Sequence, residues 1–195
     1  MSSPFSEATY DQQNFQKVAV PAEDFQRKEF TNCSFKQCDF GAANFSNSNF
    51  SDCTFSECSF ANTKFDHSRF KGVSFDGCKL VGVAFARVNP FLLSWTFKEC
   101  RLSFCNFGGL KMPHSQFLQC MIQETDFVNA DLKEASFAGS DLKASKFHQT
   151  DLQKVDFAGA RNYSIDPMSN KVKGARFSGG EVVSLLAVFG VKVEP

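Results

Sequence analysis

An all-β rod, wound as a coil of five-residue steps, is the fold class this sequence predicts, and three observations predict it. The 195 residues contain 25 Phe against one Trp and two Tyr. From Phe25 to Phe85 every fifth residue is Phe except Leu80, and from Phe97 to Phe157 the beat resumes with Phe alternating with Leu, Met or Ile. Two residues ahead of nearly every centre stands a small side chain, as in Cys33, Cys38, Ala43, Ser48, Cys53 and Cys58.

A period of five suits neither regular element. On an α-helix five residues advance about 500°, which smears the rings around the cylinder. On a strand an odd step sends successive rings to opposite faces. A chain that turns a corner at each pentad instead aims every centre at one axis. With four pentads to a coil, residue n lies beneath residue n+20, and coils pair at the ~4.8 Å strand spacing. The 26 regular centres then make 6.5 coils. Phe35, Phe55, Phe75, Phe97, Phe117, Phe127, Phe137, Phe147 and Phe157 are expected in the structural core. In the second run Phe fills two opposite faces and aliphatic residues the other two, an alternation of large and smaller groups that packs a core without voids. The small side chains share the narrow interior with the rings; only Glu23, Lys28, Trp95 and Leu110 break that rule.

The same beat sets the boundaries. Residues 1–21 hold Phe5, Tyr10, Phe15 and Val20 without small partners, so a cap or a degenerate first coil is expected there. The coil itself is expected over 22–178, with a two-residue phase slip at 89–95 and an irregular segment at 160–172. In 179–195, Gly179-Gly180 followed by Glu181 and an apolar run ending at Gly190 fits a short amphipathic helix and tail.

The pattern small–polar–Phe/Leu–polar–polar, seen in CDFGA, ANFSN, CTFSE, ADLKE, SDLKA and TDLQK, resembles the pentapeptide-repeat family over about Ala22 to Gly159. The resemblance implies a right-handed quadrilateral β-helix, a last pentad around Phe177 and a short C-terminal α-helix that closes the rod. It also implies a homodimer through that C-terminus, which places the interface on Val182, Val183, Leu185, Leu186, Phe189 and Val191. Bacterial members of the quinolone-resistance type interact with DNA gyrase or topoisomerase IV, so a protein partner of that kind is expected.

Charge and motifs narrow the remaining classes. With 21 basic and 21 acidic residues, the chain lacks the cationic surplus that direct nucleic-acid binding needs, and it is no bulk acidic mimic of DNA. Asp131, Asp141, Asp151 and Asp156 are nevertheless expected to acidify the later coils. The longest apolar stretch, 182–193, is interrupted and too short for a bilayer, and the start shows no secretion signal. All eight Cys fall at the small inward position at multiples of the pentad beat, whereas zinc ligands usually pair two to four residues apart. Free thiols acting as small hydrophobes, no metal and a cytoplasmic setting are therefore expected. His67, His114 and His148 lie scattered at outward positions, and no phosphate loop, nucleophile elbow or zinc-protease motif occurs, so no catalytic residue and no cofactor is assigned. Phe91, Leu92, Leu93, Trp95 and Phe104 cluster near the slip and read in two ways: a plug for a disturbed core, or an exposed docking patch anchored by Trp95. Two functions follow, a rod that modulates or protects a type II topoisomerase, and a scaffold for an unrelated protein partner.

Overall fold

A computed structural model describes residues 5–91 and 93–191. The chain winds as a four-sided solenoid whose strands all pair in parallel. Face 1 is a sheet of Thr9–Asp11, Glu29–Thr31, Asn49–Ser51 and Arg69–Lys71. Face 2 runs through Asn14–Gln16, Ser34–Lys36, Thr54–Ser56, Val73–Asp76, Trp95–Lys98 and Gln116–Leu118. Face 3 holds Ser59–Ala61, Lys79–Val81, Arg101–Ser103 and Met121–Gln123. Face 4 is held by single bridges such as Asp24 to Asn44 and Asn44 to Lys64.

The register is the expected 20 residues, as in Phe35 opposite Phe55 and Phe30 opposite Phe50. It becomes 22 across the slip, where Phe75 faces Phe97 and Leu80 faces Leu102. The coil also extends past the 26 regular pentads. Tyr10 pairs with Phe30 and Phe15 with Phe35, so the N-terminal residues form a first coil. At the other end Phe157 pairs with Phe177, giving about eight turns and a rod on the order of 40 Å at the strand spacing.

Parallel pairing at this spacing lays ring over ring. On face 2, Phe35 and Phe55 stack at 4.6 Å, and Phe75 and Phe97 stack at 4.8 Å straight across the slip. In the second run Phe occupies faces 2 and 4, with Phe117 edge-on to Phe127 at 5.7 Å, while Leu102, Met112, Ile122 and Leu132 fill faces 1 and 3. These centres are fully buried. Each corner places the residue two after the centre in the left-handed region, as at Asn32, Glu57 and Gly72. At Gly72 a Cβ would lie 2.3 Å from the Asp52 carboxylate oxygen one coil below, so glycine there serves close approach as well as conformation.

Two segments depart from the regular coil. In 160–172 the pentad centre falls on Asn162, which has a positive φ, and Tyr163 and Ile165 fill the interior instead. Asn170 takes the small inward position: its Nδ2 donates to the Phe147 carbonyl at 3.1 Å and its Oδ1 accepts from the Thr150 N–H at 3.0 Å. At the C-terminus the expected α-helix is instead a 3₁₀ helix over Glu181–Phe189. Val182 and Val183 are β-branched and weak helix formers, and of the segment's apolar residues Leu185 packs on the core, leaving little to impose α geometry.

Replacing Phe127, which stacks on Phe107 and Phe147 at 5.2 and 5.1 Å, with Ala is expected to cost about 3–5 kcal/mol in chemical denaturation.

Candidate interaction surfaces

The interior is a packed stack of rings and small side chains, all eight thiols among them. With the 22-residue step at the slip, Cys38, Cys58, Cys78, Cys100 and Cys120 line up as one column. Each Sγ points at the backbone: those of Cys58, Cys78 and Cys100 donate to the carbonyls of Phe35, Phe55 and Phe75 at 3.3–3.4 Å. The Cys38 and Cys58 N–H groups donate to the Sγ atoms one coil on, at 3.4 Å. All eight cysteines are free and buried. Among the described residues no group of three or more potential ligands gathers around a point that could hold a metal ion. Burial pushes Cys53 up to about 12 and Cys105 up to about 11, so neither is a thiolate near neutrality and neither is a nucleophile.

The slip divides the expected patch in two. Trp95 is 2% exposed and Leu93 8%, which makes both of them core. The indole lies 5.6 Å from Phe70, edge-on, and 5.2 Å from Phe85, plugging the core where the register changes. Among the described residues its Nε1 has no hydrogen-bond partner, a cost of about 1–3 kcal/mol that ring burial offsets. Trp95 is therefore not a docking anchor. Phe91 and Phe104 remain outside, at 68% and 59% exposed, and Leu92 lies outside the described residues.

The two exposed rings are held differently. Asn89 donates its N–H to the Ser68 carbonyl at 2.8 Å, and its Oδ1 accepts from the Phe91 N–H at 3.0 Å, with Pro90 between them. Phe104 occupies a corner at φ 55°, where a bulky side chain is strained by roughly 1–2 kcal/mol. Neither burial nor a side-chain bond compensates it. Sequence reasoning could have found this, because Phe104 falls two residues after Leu102, at the corner position.

The late aspartates do not form an acidic ladder. Oδ1 of Asp141, Asp151 and Asp156 accepts from the N–H two residues on, which ties down each corner. Oδ2 of the same residues faces Arg161, Lys171 and Arg176 at 3.2, 3.3 and 3.8 Å, each 20 residues later and one coil above. Glu134 pairs likewise with Lys154 at 2.9 Å, which holds its carboxyl below the ordinary value. Burial pushes the Asp141 carboxyl up, but the Asn162 amide, the Lys143 N–H and Arg161 outweigh it and hold it low. The offset that stacks the rings thus also neutralises these acids.

At the C-terminal end Val183, Leu186, Val188, Phe189 and Val191 are exposed, while Val182 and Leu185 are half-buried. Among the described residues no helix is long and apolar enough to cross a membrane.

A parallel β-solenoid with a packed bore and its charged groups displayed outward is the class these features define. Two family models place it further: "Pentapeptide repeat region" matches residues 28–107, and "Pentapeptide repeats (8 copies)" matches 100–139 and 123–159. The chain belongs to the pentapeptide-repeat family, and its fold is the right-handed quadrilateral β-helix of that family. A trypsin-treated form of QnrB1, described as a plasmid-mediated fluoroquinolone resistance protein, is similar with a TM-score of 0.63 at 16% identity, covering 93% of this chain and 100% of that one. A second such form gives 0.56 at 20% identity, covering 95% and 97%. HetL, from the cyanobacterium Nostoc, gives 0.46 at 14% identity, covering 87% of each chain. At these identities the likeness is one of fold. A comparison with curated proteins gave no match.

Replacing Phe104 with Asn, which tolerates this corner, is expected to raise stability by about 1 kcal/mol in denaturant titration, because the strain goes while a mostly exposed ring is removed.

Proposed function

We propose that this protein is a non-enzymatic, cytoplasmic binding rod that contacts bacterial DNA gyrase or topoisomerase IV and modulates or protects it. The observation that carries this reading is the sealed bore: with Phe97, Phe107, Phe117 and Phe127 fully buried, the outer faces are the working surface, which suits recognition of another macromolecule. Family membership and the fold shared with QnrB1 supply the choice of partner. The rod acts as a homodimer: the exposed Leu186, Phe189 and Val191 give the C-terminal end an apolar face of the kind that a partner copy covers. A supercoiling assay with purified gyrase, with and without a fluoroquinolone, is the test. The expected result is altered supercoiling or reduced drug inhibition at micromolar protein, and no change in either would overturn the proposal.

One observation favours a second reading, a scaffold for a partner unrelated to topoisomerases. The cross-coil pairs Arg161–Asp141 and Lys171–Asp151 cancel the acids that a phosphate-like surface would need. A pull-down comparing the native chain with a Phe104→Asp variant separates the two. Phe104 is exposed, so this change tests docking, whereas Trp95→Ala would open a cavity in the core.

Leu186→Asp and Phe189→Asp are each expected to yield monomers by light scattering with the melting profile of the coil retained, because both side chains are exposed.

A further inference from the structure

Zero net charge conceals a strong segregation along the rod. Residues 1–63 carry eight acidic and four basic side chains, whereas 64–114, around the slip, carry eight basic and three acidic. At the edge of that basic belt, where Arg69 and Lys71 meet Asn49, Ser51 and Glu29 of the acidic segment, a groove of about 310 Å³ opens on face 1. Its floor is the outer surface of Glu29–Thr31, Asn49–Ser51 and Arg69–Lys71, and the ring of Phe91 forms a wall.

The floor has a polarity along the rod. Arg69 and Lys71 flank Phe70 on one strand, so both leave the same outer face at the upper end. Asn49 and Ser51 lie directly beneath them, and Glu29 and Thr31 one coil lower, placing the Glu29 backbone roughly 9.6 Å from that of Arg69 by two strand spacings. Among the described residues none of Arg69, Lys71 and Glu29 makes an ion pair, unlike the cations of the last coils. The backbone that carries the wall is tied down, because the Phe91 N–H donates to the Asn89 side chain and the Asn89 N–H to the Ser68 carbonyl.

We propose that this groove is a binding site for a small aromatic organic anion of one or two rings, free in solution. The anionic group lies between Arg69 and Lys71, and the ring system packs on Phe91. Glu29 makes the lower end unfavourable to further negative charge, so a monoanion is preferred to a polyanion. The cavity sits at the lower end of the size range of ligand sites, which fits a compact ligand.

The test uses the intact protein and 1-anilinonaphthalene-8-sulfonate, an aromatic monoanion, followed by fluorescence and by amide chemical shifts. Saturable binding with shifts at Asn49, Ser51, Arg69, Lys71 and Phe91 is expected. Phe91→Ala and the double variant Arg69→Gln/Lys71→Gln should each weaken it roughly ten-fold, and Glu29→Gln should tighten it. Uncharged N-phenyl-1-naphthylamine should not respond to the Arg69→Gln/Lys71→Gln change. All four residues are exposed, so circular dichroism should show the coil intact in every variant. Shifts confined to 182–191, or an affinity for the sulfonate unmoved by the charge variants, would overturn the proposal.

Discussion

Everything in this molecule depends on the match between the separation of paired strands and the centroid spacing that offset-stacked rings prefer. Parallel coils repeat at about 4.8 Å. Rings stacked at 4.6–5.4 Å, as from Phe35 to Phe55 and from Phe137 to Phe157, keep close to that repeat. The bore is then as wide as edge-on rings from adjoining faces allow, with Phe117 and Phe127 at 85°. Mostly Cys, Ser, Ala, Thr or Val share such an interior, and most of their hydroxyls and thiols find the carbonyls of the coil below, as Ser140 Oγ finds Phe117 at 2.9 Å. Inside, the rod is hydrocarbon with a thin polar lining.

The slip shows how this constraint absorbs an error in phase. Two extra residues shift the register to 22, yet the stack from Phe75 to Phe97 continues at 4.8 Å with the rings 5° from parallel. The break in pairing falls on face 1, whose sheet ends at Arg69–Lys71, and face 4 leads into it through a 3₁₀ turn at Phe85–Arg87. Trp95, too large for the small position it occupies in sequence, supplies the missing volume. The surplus chain turns outward and displays Phe91. A local fault in the repeat thus becomes the most distinctive feature of the surface.

Much of this was legible in the sequence because a five-residue period leaves one geometry that buries all its centres. The inward cysteines and the alternation of Phe and aliphatic faces follow from counting, and the pentad at Phe177 from the family resemblance. Trp95 was not decidable by counting: its position points inward, while its size and its neighbours Phe91 and Phe104 suggest a surface patch. Volume settles it, since the interrupted face needs an indole. The single thiol column was hidden because the slip adds two residues to the spacing of Cys78 and Cys100. The C-terminal helix was misread because amphipathic spacing does not distinguish α from 3₁₀ in so short a segment, and Val182 and Val183 tip the balance. The neutralised acids were within reach of the sequence, since Asp141 and Arg161 are 20 apart, but only once charges are read along coils rather than along the chain.

Because each coil touches only the coils above and below it, cohesion in this rod is a nearest-neighbour property. The two ends are not equivalent. At the start Phe5 is driven into the bore against Phe15, Phe25 and Phe30, a hydrophobic stopper. At the finish Phe177 and Val172 are only partly covered, beneath a short 3₁₀ segment. Fraying should therefore begin at the C-terminal coils and travel toward the slip, where the unbroken aromatic pile on face 2 ties the two halves together. The molecule resembles a zipper with its slider at one end, and whatever grips the open end governs how long the whole stays closed.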